Sequence, residues 1–393
     1  MLNIGIMGGL ISNPNLGCVA LTYSLLSDLE KVSKKMGQEF SYTIFEFEHD
    51  PKLYTRLRSY LHLPDNRLRF VRNGFLWMKD WKYVVKMVSV NHRMSNAIRS
   101  CDVVIDLTQG DSFTDIYGER RFYELTLIKE KVEKMSVPLI LGPQTYGPFK
   151  DTKVRELAGK VIDRAQCVIS RDEKSRDYLS TFTNKKVDVT TDLAFALPFD
   201  KPAKNSNRIR VGINPSGLLF SKKTEGTQLA VPLKTDYDRY LETLVERLRH
   251  DSRYEVHLIP HVGDDAVEDF RGLEGVICHD RFVSPIDAKN CIASMDVFVG
   301  SRMHATIAAF SSGVATIPAA YSRKFAGLYE ALGYDHVIDL CALDTDAALE
   351  STFALIERHQ ALKDEVAACM ATVQEKNAYL EQILERELRA VKR

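Results

Sequence analysis

Asp296-Val297-Phe298-Val299-Gly300 runs directly into Ser301-Arg302-Met303-His304, and a small-residue stretch from Ala305 to Phe310 follows. The first five residues read as a buried strand and the last six as a helix. A second apolar run, Val314 to Ala320, delivers Tyr321-Ser322-Arg323-Lys324. In a parallel α/β sheet, ligands bind at the carboxyl ends of strands. Ser301, Arg302 and His304 leave one such end and Lys324 leaves the next. They are candidates for one anion-holding pocket, with histidine also able to move a proton near neutral pH. The helix start beside them adds N–H donors and partial positive charge.

The same alternation extends over most of the chain. Strands are expected at 4–7, 42–47, 103–107, 139–141, 168–170 and 187–189, then at 211–214, 256–259, 276–279, 297–300, 315–320 and 337–340. Helical patterns fall at 20–34, 119–134, 152–164 and 173–181, then at 236–249, 265–271, 285–294, 305–311 and 325–332. Such alternation implies α/β architecture with doubly wound parallel sheets covered on both faces. The polar stretch 198–208 carries two prolines and no periodicity, and reads as a domain linker. The expected organisation is one domain over 1–200, a second over 208–345, and a helical segment over 346–393 long enough to cross back onto the first.

At 393 residues the chain can bury two sizeable cores. Its 53 basic and 53 acidic residues cancel, which argues against a general nucleic-acid binder. Cys18, Cys101, Cys167, Cys278, Cys291, Cys341 and Cys369 are scattered and form no Cys-x-x-Cys pair. Reduced, buried thiols in a cytoplasmic protein are expected. No signal peptide and no spanning helix are expected. The stretch 75–87, with Trp77, Trp81 and Lys82, is either an amphipathic helix on the core or a peripheral contact with a membrane surface. The protein would then work at the inner face of that membrane.

Further candidates lie at other strand ends. The loop Gly8-Gly9-Leu10-Ile11-Ser12-Asn13-Pro14-Asn15-Leu16-Gly17 follows the first strand, but it is neither Gly-x-Gly-x-x-Gly nor a Walker loop. It is a ligand-approaching turn or a plain one. Asp106-Leu107-Thr108-Gln109-Gly110-Asp111-Ser112-Phe113-Thr114-Asp115 gathers three carboxylates. Asp111 or Asp115 could orient a sugar hydroxyl or act as a base, and one of them could simply cap a helix. Gln144 could contact a ligand from a Gly/Pro-shaped loop. Arg171 could clamp a carboxylate or phosphate, or pair with its acidic neighbours. His261 follows a strand and is either functional or an ordinary loop residue. No cluster has metal-ligand spacing, so no metal is expected.

These blocks together resemble the polysaccharide pyruvyl transferase family. The resemblance rests on Asp102-Val103-Val104-Ile105-Asp106-Leu107 with Gly110 to Asp115, on Ser170-Arg171-Asp172-Glu173, and on Ser301-Arg302-Met303-His304 with Tyr321-Ser322-Arg323-Lys324. It implies two Rossmann-like domains in a GT-B-like arrangement. It also implies transfer of a pyruvyl unit from phosphoenolpyruvate to a sugar of a cell-wall, capsular or exopolysaccharide chain, often still lipid-linked. The family's donor-binding arginine, histidine and lysine correspond to Arg171, His304 and Lys324. Arg302 and Ser301 join them on the donor side, with Asn15, Gly17, Gln144 and His261 on the acceptor side. No cofactor beyond the donor substrate is implied. Many members read Gly-Asn-x-Gly-Asp in the first loop. Here Cys18 stands in place of the acid, which puts acceptor chemistry in question.

The chemistry itself asks for such residues. Phosphoenolpyruvate carries a carboxylate and a phosphate, which need cations, and addition at its C2 needs a proton on the methylene carbon. His304 suits that acid role, with Asp111 or Asp115 assisting the attacking hydroxyl. Two other readings fit the sequence: a nucleotide-sugar glycosyltransferase of the same fold, and a non-catalytic partner in polysaccharide assembly.

Overall fold

A computed structural model describes residues 1–46, 49–72, 84–200, 207–220, 233–263 and 265–391, the side chains of 84–91 and 323–324 excepted. The aromatic stretch around Trp77 lies outside the described residues. Two units divide the chain. The first comprises Met1–Asn13, Cys18–Ala196 and Glu375–Arg393; the second comprises Pro14–Gly17 and Leu197–Gln374.

The first unit is built on seven parallel strands: β1 (Leu2–Met7), β2 (Phe40–Glu46), β3 (Leu68–Arg72), β4 (Val103–Asp106), β5 (Leu139–Gln144), β6 (Cys167–Ser170) and β7 (Val187–Val189). Their order is β3-β2-β1-β4-β5-β6-β7. The connecting helices are α1 (Leu16–Met36), α2 (Pro51–Leu61), α3 (Val84–Arg99), α4 (Glu119–Lys134), α5 (Thr152–Arg164) and α6 (Glu173–Leu179). Strands β4, β5 and β6 are buried at every position, as strands covered on both faces must be.

In the second unit the strands are β8 (Ile209–Asn214), β9 (Tyr254–Leu258), β10 (Val276–Cys278), β11 (Val297–Gly300), β12 (Ala315–Ala320) and β13 (Ile338–Asp339), ordered β10-β9-β8-β11-β12-β13. Its helices are α7 (Tyr237–Arg249), α8 (Pro285–Ala293), α9 (Met303–Ser311), α10 (Arg323–Glu330) and α11 (Thr345–Glu357), with α12 (His359–Ala390) closing the chain. Helix α7 buries Tyr237, Tyr240, Leu241, Leu244, Val245 and Leu248, a stripe at three- and four-residue spacing. Side chains of Asp236, Ser284 and Asp344 accept N–H donors in the first turns of α7, α8 and α11.

Both sheets are parallel α/β with a reversal of strand order, β1 beside β4 and β8 beside β11. Residues leaving those strand ends stand at the switch points where ligands collect. Register at the second switch point pairs Gly300 with Asn214 on one side and Pro318 on the other.

The structure departs from the sequence pattern at several elements. Strand β3 carries Arg69 and Arg72 at an edge, so it lacks the apolar run that announces a strand. Helix α2 begins at Pro51 after the capping Asp50, a start signal without a strong apolar stripe behind it. The helix expected over 265–271 is only a single 3₁₀ turn at Glu268–Phe270, because the Asp265 carboxylate is engaged elsewhere. In the tail, α11 belongs to the second unit, and α12 passes from the second unit to the first after Gln374. There Glu381 and Glu385 pair with Lys31 and Lys35 at 3.2 and 2.6 Å, and Arg386 pairs with Asp188 at 3.1 Å.

Candidate functional site

In the second unit, β11 ends at Gly300 and the chain turns through Ser301 and Arg302 into α9. The Arg302 backbone N–H donates to Oδ1 of Asn214, the last residue of β8, at 3.1 Å. The Arg302 side chain donates through Nε to Oδ1 of Asp265 at 2.9 Å. Oδ2 of the same carboxylate accepts from Asn214 Nδ2 at 2.9 Å and from the backbone N–H groups of His261 and Val262 at 2.8 and 2.9 Å. A single buried carboxylate thus gathers the ends of β8, β9 and β11. Beside it, the Tyr237 hydroxyl accepts from Ser216 N–H at 3.0 Å and is hydrogen-bonded to Ser301. Burial pushes that phenol up to about 12.

His304 lies in the first turn of α9, and a helix N-terminus favours anions. Its neighbour across the loop is Gly17, where a Cβ would come within 2.3 Å of His304 Nδ1. Only a residue without a side chain allows that approach. The Pro14–Gly17 loop belongs to this unit through an antiparallel bridge from Asn15 to Val262 and a 3.3 Å hydrogen bond from Leu16 N–H to the His261 carbonyl. Asn15 Oδ1 accepts from Gly17 N–H at 3.0 Å and so shapes the turn. The imidazole of His261 is 4% exposed, and burial, with the nearby charges of His304 and Arg302, lowers it to about 3. It is neutral at any ordinary pH. Lys324 is the second residue of α10, whose N-cap Ser322 accepts from Phe325 N–H; its side chain is among those not described.

The first unit holds the other sequence candidates. Arg171 leaves β6, is 6% exposed, and donates through Nε to Thr145 Oγ1 at 2.8 Å and through Nη1 to Asp192 Oδ2 at 2.5 Å. Among the described residues its Nη2 has no hydrogen-bond partner. Neither of its acidic neighbours, Asp172 and Glu173, takes the guanidinium in an ion pair; Asp192 does. Gly110, at φ +85°, passes close enough that a Cβ would meet Arg171 Nη1 at 3.3 Å. Thr108 and Gln109 before it also take positive φ, at 42° and 55°. Arg121 braces that turn by donating to Gln109 Oε1 at 2.6 Å and Ser112 Oγ at 3.0 Å.

The carboxylates of the 106–115 cluster separate into different jobs. Asp106 forms a buried ion pair with Lys129 at 3.0 Å. Asp115 accepts backbone N–H donors from Lys150 and Asp151 at 2.8 and 2.9 Å, a loop-holding role. Asp111 is half-buried and accepts from the Tyr117 hydroxyl at 3.2 Å. Gln144 is fully buried in β5 and donates to the Asp106 carbonyl at 3.3 Å. Cys18 lies in the field of Asp111, Arg121, Arg171 and Asp192; burial first, then Asp111, pushes its thiol up to about 12. It stays protonated.

Asp265 and Asp192 are the residues that sequence reasoning does not single out. Each lies in a loop after a strand, Asp265 where the pattern reads as a helix start, and nothing local marks the partner of either. Among the described residues, no three His, Cys, Asp or Glu side chains converge as metal ligands would, and no helix is long and apolar enough to cross a membrane.

The fold is shared with solved structures of low identity. UDP-GlcNAc 2-epimerase from Neisseria meningitidis bound to UDP-GlcNAc is 11% identical with a TM-score of 0.58, over 98% of this chain and 100% of that one. Anabaena Alr3699/HepE in complex with UDP and glucose is 12% identical with a TM-score of 0.57, over 99% and 100%. UDP-GlcNAc 2-epimerase from Methanocaldococcus jannaschii is 8% identical with a TM-score of 0.55, over 90% and 91%. No curated protein matches the chain in sequence. The sequence model of the polysaccharide pyruvyl transferase family matches residues 15–323, a span that takes in the Arg171, Arg302 and His304 sites together. The chain belongs to the polysaccharide pyruvyl transferase family and is a transferase.

Proposed function

We propose that the protein moves a pyruvyl unit from phosphoenolpyruvate onto a sugar of a cell-surface polysaccharide or its lipid-linked precursor, closing a ketal and releasing phosphate. The observation that carries this reading is the pairing of Arg302 and His304 at the β11 end. A guanidinium oriented by a buried carboxylate stands two residues from an imidazole, at a helix N-terminus and a sheet switch point. Arg302 and the α9 N–H groups suit a doubly anionic donor. His304, as imidazolium, gives its proton to the methylene carbon, which becomes the methyl group. An acceptor hydroxyl oxygen bonds to C2, the C2–O bond to phosphate breaks, and phosphate departs with the bonding pair. A second hydroxyl then bonds to C2; of the two hydroxyl protons, one returns to His304 and the other leaves on phosphate. The carboxylate assisting the attacking hydroxyl would be Asp111 or Asp115, of which Asp115 already accepts two backbone N–H donors.

The test is phosphate release from phosphoenolpyruvate in the presence of lipid-linked and polymeric cell-surface saccharides, run in D2O. We expect saccharide-dependent release, one deuterium in the product methyl group, and loss of both in His304→Ala. Release at the wild-type rate in His304→Ala would remove the histidine from the acid role. Arg171→Ala is expected to raise the apparent KM for donor; an unchanged value would remove Arg171 from donor binding.

A further inference from the structure

We propose that Asp265 is a positioning residue that sets the plane of the Arg302 guanidinium for the anionic donor, an inference that rests on the pyruvyl-transfer reading. Asp265 has a fully buried side chain and caps no helix: the nearest turn, Glu268–Phe270, has Val267 before it and no side-chain cap. Instead its two oxygens receive four N–H donors from three strand ends. The contacts close a ring. Asp265 binds Arg302 Nε and Asn214 Nδ2, and Asn214 Oδ1 returns to the Arg302 backbone N–H. Backbone and side chain of Arg302 are therefore fixed by the same two residues. An arginine gripped at Nε cannot rotate its planar fork without breaking a charge-assisted bond.

Charge alone predicts the opposite of this role. A buried carboxylate next to an anion site repels the anion, so neutralising it would tighten binding. Positioning predicts that neutralising it weakens binding, because the guanidinium loses its fixed orientation. The sign separates the two.

The experiment compares wild type, Asp265→Asn, Arg302→Lys and the double variant in the full-length chain. It measures phosphoenolpyruvate binding by calorimetry, KM and kcat by phosphate release, and thermal unfolding. The expected result is a loss of about tenfold in donor affinity for Asp265→Asn, equivalent to ~1.4 kcal/mol. KM should rise more than kcat falls, and the same change should have little further effect once Arg302 is lysine. Unchanged or tighter binding by folded Asp265→Asn overturns the inference while leaving pyruvyl transfer standing. Failure of wild type to bind phosphoenolpyruvate overturns both. Should Asp265→Asn not fold, Asn214→Ala opens the same ring at its other corner. Weaker donor binding there supports the inference, and wild-type affinity overturns it.

Discussion

A methyl group on Gly17 would sit 2.3 Å from His304 Nδ1, and the ring has no way to yield without leaving its place at the α9 start. Gly17→Ala is therefore expected to lower kcat by about tenfold or more, the scale at which small misplacement of a reacting group is felt. Thermal unfolding should move far less, since the glycine takes no positive φ. Wild-type kcat in this variant would mean that the His304 ring position does not matter. His261, its neighbour, makes a prediction in pH. Its folded-state value is about 3 against an ordinary 6.5, chiefly from burial. The unfolded chain takes up that proton first, so the native state loses stability as pH falls from about 6.5 toward about 3. Urea midpoints of wild type should decline more steeply over that window than those of His261→Gln. Parallel curves would place the titration elsewhere.

At the scale of elements, β4 and α4 are joined by the Asp106–Lys129 ion pair, which has 4% and 0% of its two side chains exposed. Removing one member of such a pair strands the other charge, at a cost of ~3–5 kcal/mol. Lys129→Met should be destabilised on that scale by chemical denaturation, and adding Asp106→Asn should restore most of the loss. Equal stability for the single and double variants would contradict the coupling. The helix α4 pattern and the β4 run are both plain in the sequence, yet the pair between them is not, because nothing local links residues 106 and 129. The same limit governs the site. The β11–α9 segment is legible, since an apolar run followed by small residues can do little else. The Pro14–Gly17 loop looks like part of the first domain by position, and its contacts with His261 and Val262 place it in the second unit. Asp265 reads as a helix start, while its carboxylate serves three strand ends that are far apart in sequence. Long-range polar contacts leave no periodic trace, whereas buried strands do.

For the molecule as a whole, the balanced charge and the two doubly wound units follow from composition and alternation, and the family match agrees with the motif resemblance. A terminal helix long enough to reach the first domain follows from the pattern too, but its contacts there do not. Leu380, Ile383, Leu384 and Leu388 are buried along α12, and neighbouring side chains pair with Lys31, Lys35, Gln166 and Asp188. Truncation after Gln374 should therefore lower the unfolding temperature and solubility of the protein; an unchanged melting curve would show the first unit to be complete without the helix. The reading of the whole molecule as a pyruvyl transferase comes down to its donor. Calorimetric titration with phosphoenolpyruvate, alongside UDP-, GDP- and CMP-sugars, needs no knowledge of the acceptor. Saturable binding of phosphoenolpyruvate alone, lost in His304→Ala/Lys324→Ala, is the predicted result; saturable binding of a nucleotide sugar in its place would contradict it and assign the site to glycosyl transfer.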